Sequence, residues 1–173
     1  MSMREIGIPH PRLPLPDSGQ QDDPADFLAW LAEAIPMVEH LGIREMRWEG
    51  AGAGERLVWE LSLVPSLNDK GTGFGGALAA QSTLLGWCWT TLWLRERGLA
   101  RDVVVAEATQ RFLAPVTGNY RMTCAPESPK GPDSLSEQLQ SRGRGRIALV
   151  QQLWSNDTLC LEARGDYAVL PTG

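Results

Sequence analysis

NDKGTGFGGALAAQSTLLGWCWTTLWLRERG, residues 68–98, is the stretch that decides the fold. It opens on a polar turn, Asn68-Asp69-Lys70, followed by four glycines within six residues: Gly71, Gly73, Gly75 and Gly76. No charge occurs from Phe74 to Leu94, and Arg95-Glu96-Arg97-Gly98 closes the run. Basic residues in a last turn followed by Gly mark a helix C-terminus, because they complement the unpaired carbonyls there. At the other end, the amides of Gly75 and Gly76 have no side chain to shield them. A helix start with bare N–H groups is a place where negative charge can develop. Apolar residues such as Leu78, Leu85, Trp89, Leu92 and Trp93 fall nearly all round the helix. A helix of that kind is buried or spans a bilayer. The uncharged run is long enough for a span. Against one stand the glycines at its start, the Gln81-Ser82-Thr83 cluster near its middle, and the lack of a second apolar span. The stretch is predicted as a core helix.

Working outward, 173 residues suffice for one domain with a sizeable core. A hydrophobic content of 43% is that of a globular chain. The net charge of −5 provides no global basic field for nucleic acid or an anionic membrane surface. Cys88, Cys124 and Cys160 form no C-x-x-C pair and read as reduced structural thiols of a cytoplasmic protein. The first residues lack the apolar core of a signal peptide. Seven tryptophans suit a core together with an apolar pocket or a subunit interface.

Residues 1–24 hold Pro9, Pro11, Pro14, Pro16 and Pro24 and read as an extended proline-rich arm, laid on a partner surface or partly ordered. Residues 25–173 form the domain. Phe27, Leu28, Trp30, Leu31, Ala34 and Ile35 predict a helix from Asp26, ended or bent by Pro36. HLGIREMRWEG (40–50) and ERLVWELSL (55–63) predict a hairpin around the turn AGAG, with Leu57, Trp59, Leu61 and Leu63 alternating as in a half-buried strand. After the central helix, 102–118 and 120–127 are predicted as strands joined in a hairpin at Thr117-Gly118-Asn119, and SPKGPDS (128–134) as a loop. Residues 144–157 and 158–171 form a last hairpin on Asn156-Asp157. The expected class is α+β: one antiparallel sheet curled around a long helix. A sheet covers only one side of such a helix, which makes a second copy of the chain the simplest cover for the rest.

A long helix wrapped by an antiparallel sheet, in this element order, resembles the hotdog fold. The motifs N-x-K-G-T-x-F-G-G (Asn68 to Gly76), Leu85-Gly86-Trp87 and Phe112-Leu113-Ala114-Pro115-Val116-Thr117-Gly118 resemble the thioesterase family typified by the C-terminal domain of YiiD. The likeness covers about residues 27–170. It implies a homodimer, often assembled further into a dimer of dimers, with acyl-thioester substrates bound between subunits and the carbonyl at the start of the central helix. The substrate would be an acyl-CoA or an acyl-carrier protein, with coenzyme A or pantetheine part of the substrate and no separate cofactor. In related hotdog thioesterases an Asn precedes His-Gly-Gly by six residues and a carboxylate follows the first Gly by eight. Here Asn68 holds the Asn position, Phe74 replaces the His, Gly75 and Gly76 match the glycines, and Thr83 stands at the carboxylate position.

Thioester hydrolysis needs a polarised carbonyl, an activated water and room for an acyl chain. The Gly75 and Gly76 amides are the candidates for the first; one such donor is worth about 3 kcal/mol in a barrier. Glu107, set among apolar neighbours in VVVAEATQRF, is a candidate general base whose burial would raise its pKa. Alternation puts it on one face with Val105, Thr109 and Arg111, so an ion pair on an exposed face is the competing reading. Asp69 is the other candidate base, or a turn carboxylate, and Asn68 a holder of water or thioester, or an Asx turn. Phe74, Gln81 and Thr83 are candidate substrate contacts, although the Thr83 hydroxyl could bond back to the helix. Arg142, Arg144 and Arg146 would share one face of an extended segment, available to the phosphates of coenzyme A or a pantetheine arm. Two histidines without paired spacing, His10 and His40, indicate no metal site. The leading reading is an acyl thioesterase. The alternatives are a non-catalytic acyl-thioester binding module and a hotdog dehydratase or hydratase, whose chemistry wants a His near the helix.

Overall fold

The uncharged run folds as a helix because its apolar residues recur at every helical spacing and nothing before Arg95 stops it. In the computed structural model, which describes residues 4–50 and 56–173, it is the central helix α2 (Gly75–Glu96, 22 residues), about 33 Å long. Its first bond joins the Leu78 N–H to the Phe74 carbonyl at 3.0 Å. Gly98 adopts φ 72° just past its end, the left-handed conformation that a C-terminal glycine supplies without strain.

The other elements are α1 (Pro24–Ala34), β1 (Ile43–Glu49), β2 (Arg56–Leu61), β3 (Val103–Phe112), β4 (Tyr120–Pro126), α3 (Gly131–Arg142), β5 (Gly145–Ser155) and β6 (Thr158–Val169), with a 3-10 turn at Pro36–His40. Asp23 caps α1 through the Ala25 N–H, and Pro24 opens it. The six strands form one sheet in the order β1-β2-β4-β5-β6-β3, every neighbour antiparallel. The sheet curls around α2 and buries Leu57, Trp59, Leu61, Met122, Leu149, Leu153 and Tyr167 against Leu78, Leu85, Trp89 and Trp93. This is the expected hotdog arrangement. Asn156 and Asp157, at φ 51° and 61°, make the tight β5–β6 turn, with both central residues left-handed as a two-residue hairpin requires. β1 and β2 pair as predicted, while the AGAG turn between them lies outside the described residues.

Three expectations are corrected. β3 and β4 are not a hairpin: β3 pairs with β6 at one edge, and β4 lies between β2 and β5. Thr117-Gly118-Asn119 therefore belongs to a crossover. Its Asn119 Oδ1 accepts from the Leu63 N–H, and its Gly118 carbonyl accepts from Ser155 Oγ. The predicted loop SPKGPDS (128–134) is also corrected, because a helix begins inside it at Gly131. Pro132 in the first turn, Asp133 beside it and Gly143 at φ 68° frame α3, which buries Leu135 against β5. In consequence Arg142 ends a helix and Arg146 lies in a strand, so the three arginines do not share one extended face.

The proline-rich arm lies on its own chain. Arg95, 7% exposed, pairs with Asp22 at 2.7 Å and donates to the carbonyls of Leu13 and Pro14. Trp30 Nε1–H donates to the Pro11 carbonyl, and Arg12 pairs with Asp102 at 2.6 Å.

At the middle of α2, Tyr167 packs across Gly86 and donates its hydroxyl to the Thr83 carbonyl at 2.7 Å. A Cβ at Gly86 would stand 2.1 Å from the phenol ring and its oxygen, so the helix meets β6 here only because position 86 has no side chain. Gly86→Ala is expected to lower stability by about 2 kcal/mol, at the centre of the range for core overpacking, despite the better helix propensity of Ala. Urea unfolding measures it.

Candidate active site at the start of the central helix

The two halves of the sequence motif meet in space. The Gly73 N–H donates to the Val116 carbonyl at 2.9 Å, and a Cβ at Gly73 would approach the Val116 Cβ to 2.9 Å. The crossover after β3 thus latches the glycine loop and aims it into α2. Asn68 shapes that loop from within. Its Oδ1 accepts from the amides of Lys70 and Thr72 at 2.9 and 3.0 Å, and its Nδ2 donates to Thr72 Oγ1 and the Gly73 carbonyl. Both ends of the amide are engaged, so Asn68 is a positioning residue built as an Asx turn. Asp69 stands at the tip of the same loop, 80% exposed and paired with Lys70 at 2.9 Å.

Phe74 precedes the helix with extended backbone and provides no side-chain cap. Among the described residues nothing else in the chain caps the amides of Gly75 and Gly76. Two rings frame them: Phe74, 54% exposed, lies against Gly76, and Phe112, 56% exposed, stands where a Gly75 Cβ would meet it at 3.5 Å. One turn further along α2 lies an apolar groove of about 410 Å³, lined by Ala79, Ala80, Thr83, Leu84 and Trp87, with Ile35 and Val105 as its sides. None of the lining residues is titratable.

A family model described as "Putative thioesterase (yiiD_Cterm)" matches residues 25–171, which include the latch, the loop and the groove. The chain belongs to this family. Solved structures with the same fold include a protein of unknown function from Chlorobaculum tepidum, 23% identical, covering 86% of this chain and 94% of its own, with a TM-score of 0.76. A "putative thioesterase" from Shewanella oneidensis is 24% identical, covers 85% and 96%, and has a TM-score of 0.70. A variant of a thioesterase from Pseudomonas aeruginosa is 18% identical, covers 89% and 98%, and has a TM-score of 0.67.

Within this yiiD_Cterm fold the remaining candidates separate. Thr83 reaches the groove, where Gln110 Nε2 donates to its hydroxyl across a long 3.5 Å. Gln110 was not singled out from sequence, because a bulge hides its orientation. The β3–β6 register shifts between Val105 and Glu107, so Val105 pairs with Tyr167 but Glu107 pairs with Asp166. Val105 and Gln110 therefore face the helix, whereas Glu107 faces away from it and is exposed. The expectation of a buried Glu107 on the Val105 face is corrected. Gln81 is also displaced from its expected place on the acyl path. It is fully buried, donates to the Leu41 carbonyl and Ser66 Oγ, and accepts from the Tyr120 hydroxyl at 2.7 Å. It ties α2 to the sheet and to the segment before β1.

Arg142, Arg144 and Arg146 gather, with Gln138, around a separate cavity of about 470 Å³ near the start of β5. That end of the molecule is the start of β3, whereas the helix start adjoins its end; the two are about 30 Å apart along the strand. His10 packs its ring on Trp30, and His40 ends the 3-10 turn, so neither lies at the helix start.

The three cysteines are buried and unpaired. Burial pushes the thiols of Cys88, Cys124 and Cys160 above their ordinary pKa and holds them protonated. They are inert as nucleophiles. The native protein at about pH 8 is expected to resist a disulfide-exchange reagent that labels all three thiols once urea unfolds the chain. Rapid labelling of one thiol in the native state would contradict this.

Proposed function

We propose that the protein hydrolyses acyl thioesters, with the thioester carbonyl seated at the start of α2. The observation that carries the reading is the uncapped Gly75–Gly76 turn, set between two exposed rings one helical turn before an apolar groove without charge. Membership of a thioesterase-type family supports the same reaction class. A water oxygen bonds to the carbonyl carbon, and the oxygen that takes up negative charge receives the amides of the first turn. The carbon–sulfur bond then breaks. Its sulfur leaves as a thiolate, which with a pKa near 8.5 needs no strong acid. Thr83 and Gln110 are the polar pair at hand to hold the water. The attacking water gives up one proton, which passes through solvent to the departing sulfur, so the products are a carboxylic acid and the thiol of coenzyme A or of a carrier's pantetheine arm.

A homodimer completes the site in this reading. The outer edge of β3 is unpaired among the described residues and carries exposed Val104, Val105, Phe112 and Leu113. A long apolar edge of that kind calls for cover. Antiparallel pairing of two β3 edges would bring the partner's basic end towards the helix start of the first chain. Arginines too distant to serve their own helix could then meet the phosphates of a carrier. Unpaired thiols fit a reducing compartment such as the cytoplasm.

A second reading, an acyl-thioester binding module, is favoured by Phe74 and Thr83 in place of an acid–base pair and by the lack of a titratable group in the groove. Thiol release from acyl-CoAs and acyl-carrier thioesters separates the two. Turnover of at least one member is expected. Gly75→Pro should then lower kcat about 100-fold with the fold intact: Phe74, at φ −72° and ψ 118°, already has the conformation a following proline requires, and proline suits the first helical position. Undiminished turnover in that variant would remove the Gly75 amide from the mechanism. Flat traces for the whole panel would leave the binding module.

A further inference from the structure

Trp87 is the last residue of α2 that lines the groove. Trp87 borders it and also borders a second, smaller cavity of about 110 Å³ behind, where Phe27, Trp30, Leu99 and Val103 form the walls. The indole is fixed between the two. Its Nε1–H donates to the Val103 carbonyl at 2.8 Å, and its ring stacks on Trp30 at 6.5 Å and Phe27 at 6.1 Å, with interplanar angles of 13° and 25°. The arm seals the far side of the rear cavity through the Arg12–Asp102 pair and the Pro11 carbonyl that receives Trp30. A chain entering from the helix start therefore meets a braced aromatic wall, with empty space beyond it.

The polarity of the groove is graded. Thr83 and its partner Gln110 are its polar groups, and beyond them lie Leu84, Val105 and Trp87. Such a surface suits an unbranched alkyl chain lying along α2. Eight residues separate Ala79 from Trp87, about 12 Å of helix. The Trp87 side chain leans towards the helix N-terminus, which shortens the passage. A carbon–carbon bond near 1.5 Å at tetrahedral angles advances about 1.25 Å per carbon.

Resting on the thioester reading above, we propose that Trp87 is the stop that sets acyl-chain length, and that the groove takes a chain of about eight to ten carbons. Shorter chains leave the Trp87 end empty. Longer ones must bend out towards solvent or the subunit interface.

The test reads binding rather than turnover. Non-hydrolysable S-alkyl thioethers of coenzyme A, four to sixteen carbons long, are titrated into the full chain. Affinity is expected to rise about fourfold per methylene, then to level off or fall beyond eight to ten carbons. Trp87→Ala should move that break about three to four carbons longer by opening the rear cavity, and Trp87→Leu should move it less far. Ala80→Leu, which narrows the groove from its other end, should move the break shorter and covers the case in which a Trp87 variant fails to fold. A break that stays in place in folded variants, or an affinity independent of chain length, overturns the proposal; the latter would mean that a second copy of the chain fills the groove. A Trp87-dependent break without hydrolysis would sink the thioesterase reading and leave the stop standing. Hydrolysis with an unmoved break would do the reverse.

Discussion

A helix that is apolar around its circumference needs cover on every side, and one six-stranded sheet supplies it on only one. Most features of this protein follow from that shortfall. The sheet takes the face of Leu78, Leu85, Trp89 and Trp93. Over the C-terminal half of α2 the remainder is covered by α1 and the arm, through the Phe27–Trp30–Trp87 stack and the buried Arg95–Asp22 pair. Over the N-terminal half nothing among the described residues does the same. Gly76, Ala79, Ala80, Thr83 and Leu84 stay exposed or half-buried. Because those side chains are small until Leu84, the uncovered stripe is a groove and not a ridge. The groove is what remains of the helix surface where intramolecular cover ends.

The helix start would be useless if it were not held. Gly73 has to lie flush with the crossover, since its amide bonds to Val116 and a side chain there would collide with the same residue. That contact explains why a glycine-rich segment and a Phe-Leu-Ala-Pro-Val-Thr-Gly segment belong together although Gly73 and Val116 lie 43 positions apart. Asn68 spends both ends of its amide on the loop, and Gln81 spends all its polar atoms on Leu41, Ser66 and Tyr120. A buried amide satisfied at every atom fixes one arrangement of the elements it joins. Polar residues near the site thus act mostly as its frame, which leaves the backbone amides as the groups free to act.

The helix, the six strands and the Asn156-Asp157 turn were legible because hydrophobic period and turn chemistry are local signals. What escaped was information carried by pairing partners. Nothing in VVVAEATQRF announces that Ala106 is an extra residue, yet that bulge reverses the facing of everything from Glu107 onwards and exchanges an expected base for Gln110. Thr117-Gly118-Asn119 is a sound turn sequence, but it cannot say that the next strand lies three places away in the sheet. α3 shows only Leu135 and Leu139 on an otherwise polar surface, too weak a period to outweigh the loop-like residues that begin it. Its signals were at its ends, in Pro132 and Gly143. Gln81 stands two positions before Thr83 in the sequence, but helical phase turns it into the core.

The chemistry open to such a site follows from what is missing from it. At the position where the resemblance to hotdog thioesterases implies a His, the Phe74 ring lies against Gly76, which stays exposed. Uncapped amides at a helix start interact favourably with negative charge that develops beside them. The same substitution removes a proton donor. For an oxygen ester that loss would be severe, since an alkoxide needs a proton as it departs. A thiolate leaves near neutral pH without one. In the proposed reading, uncapped amides and an uncharged groove without an acid would favour a carbonyl whose leaving group is already stable as an anion, attached to a chain that prefers not to be in water.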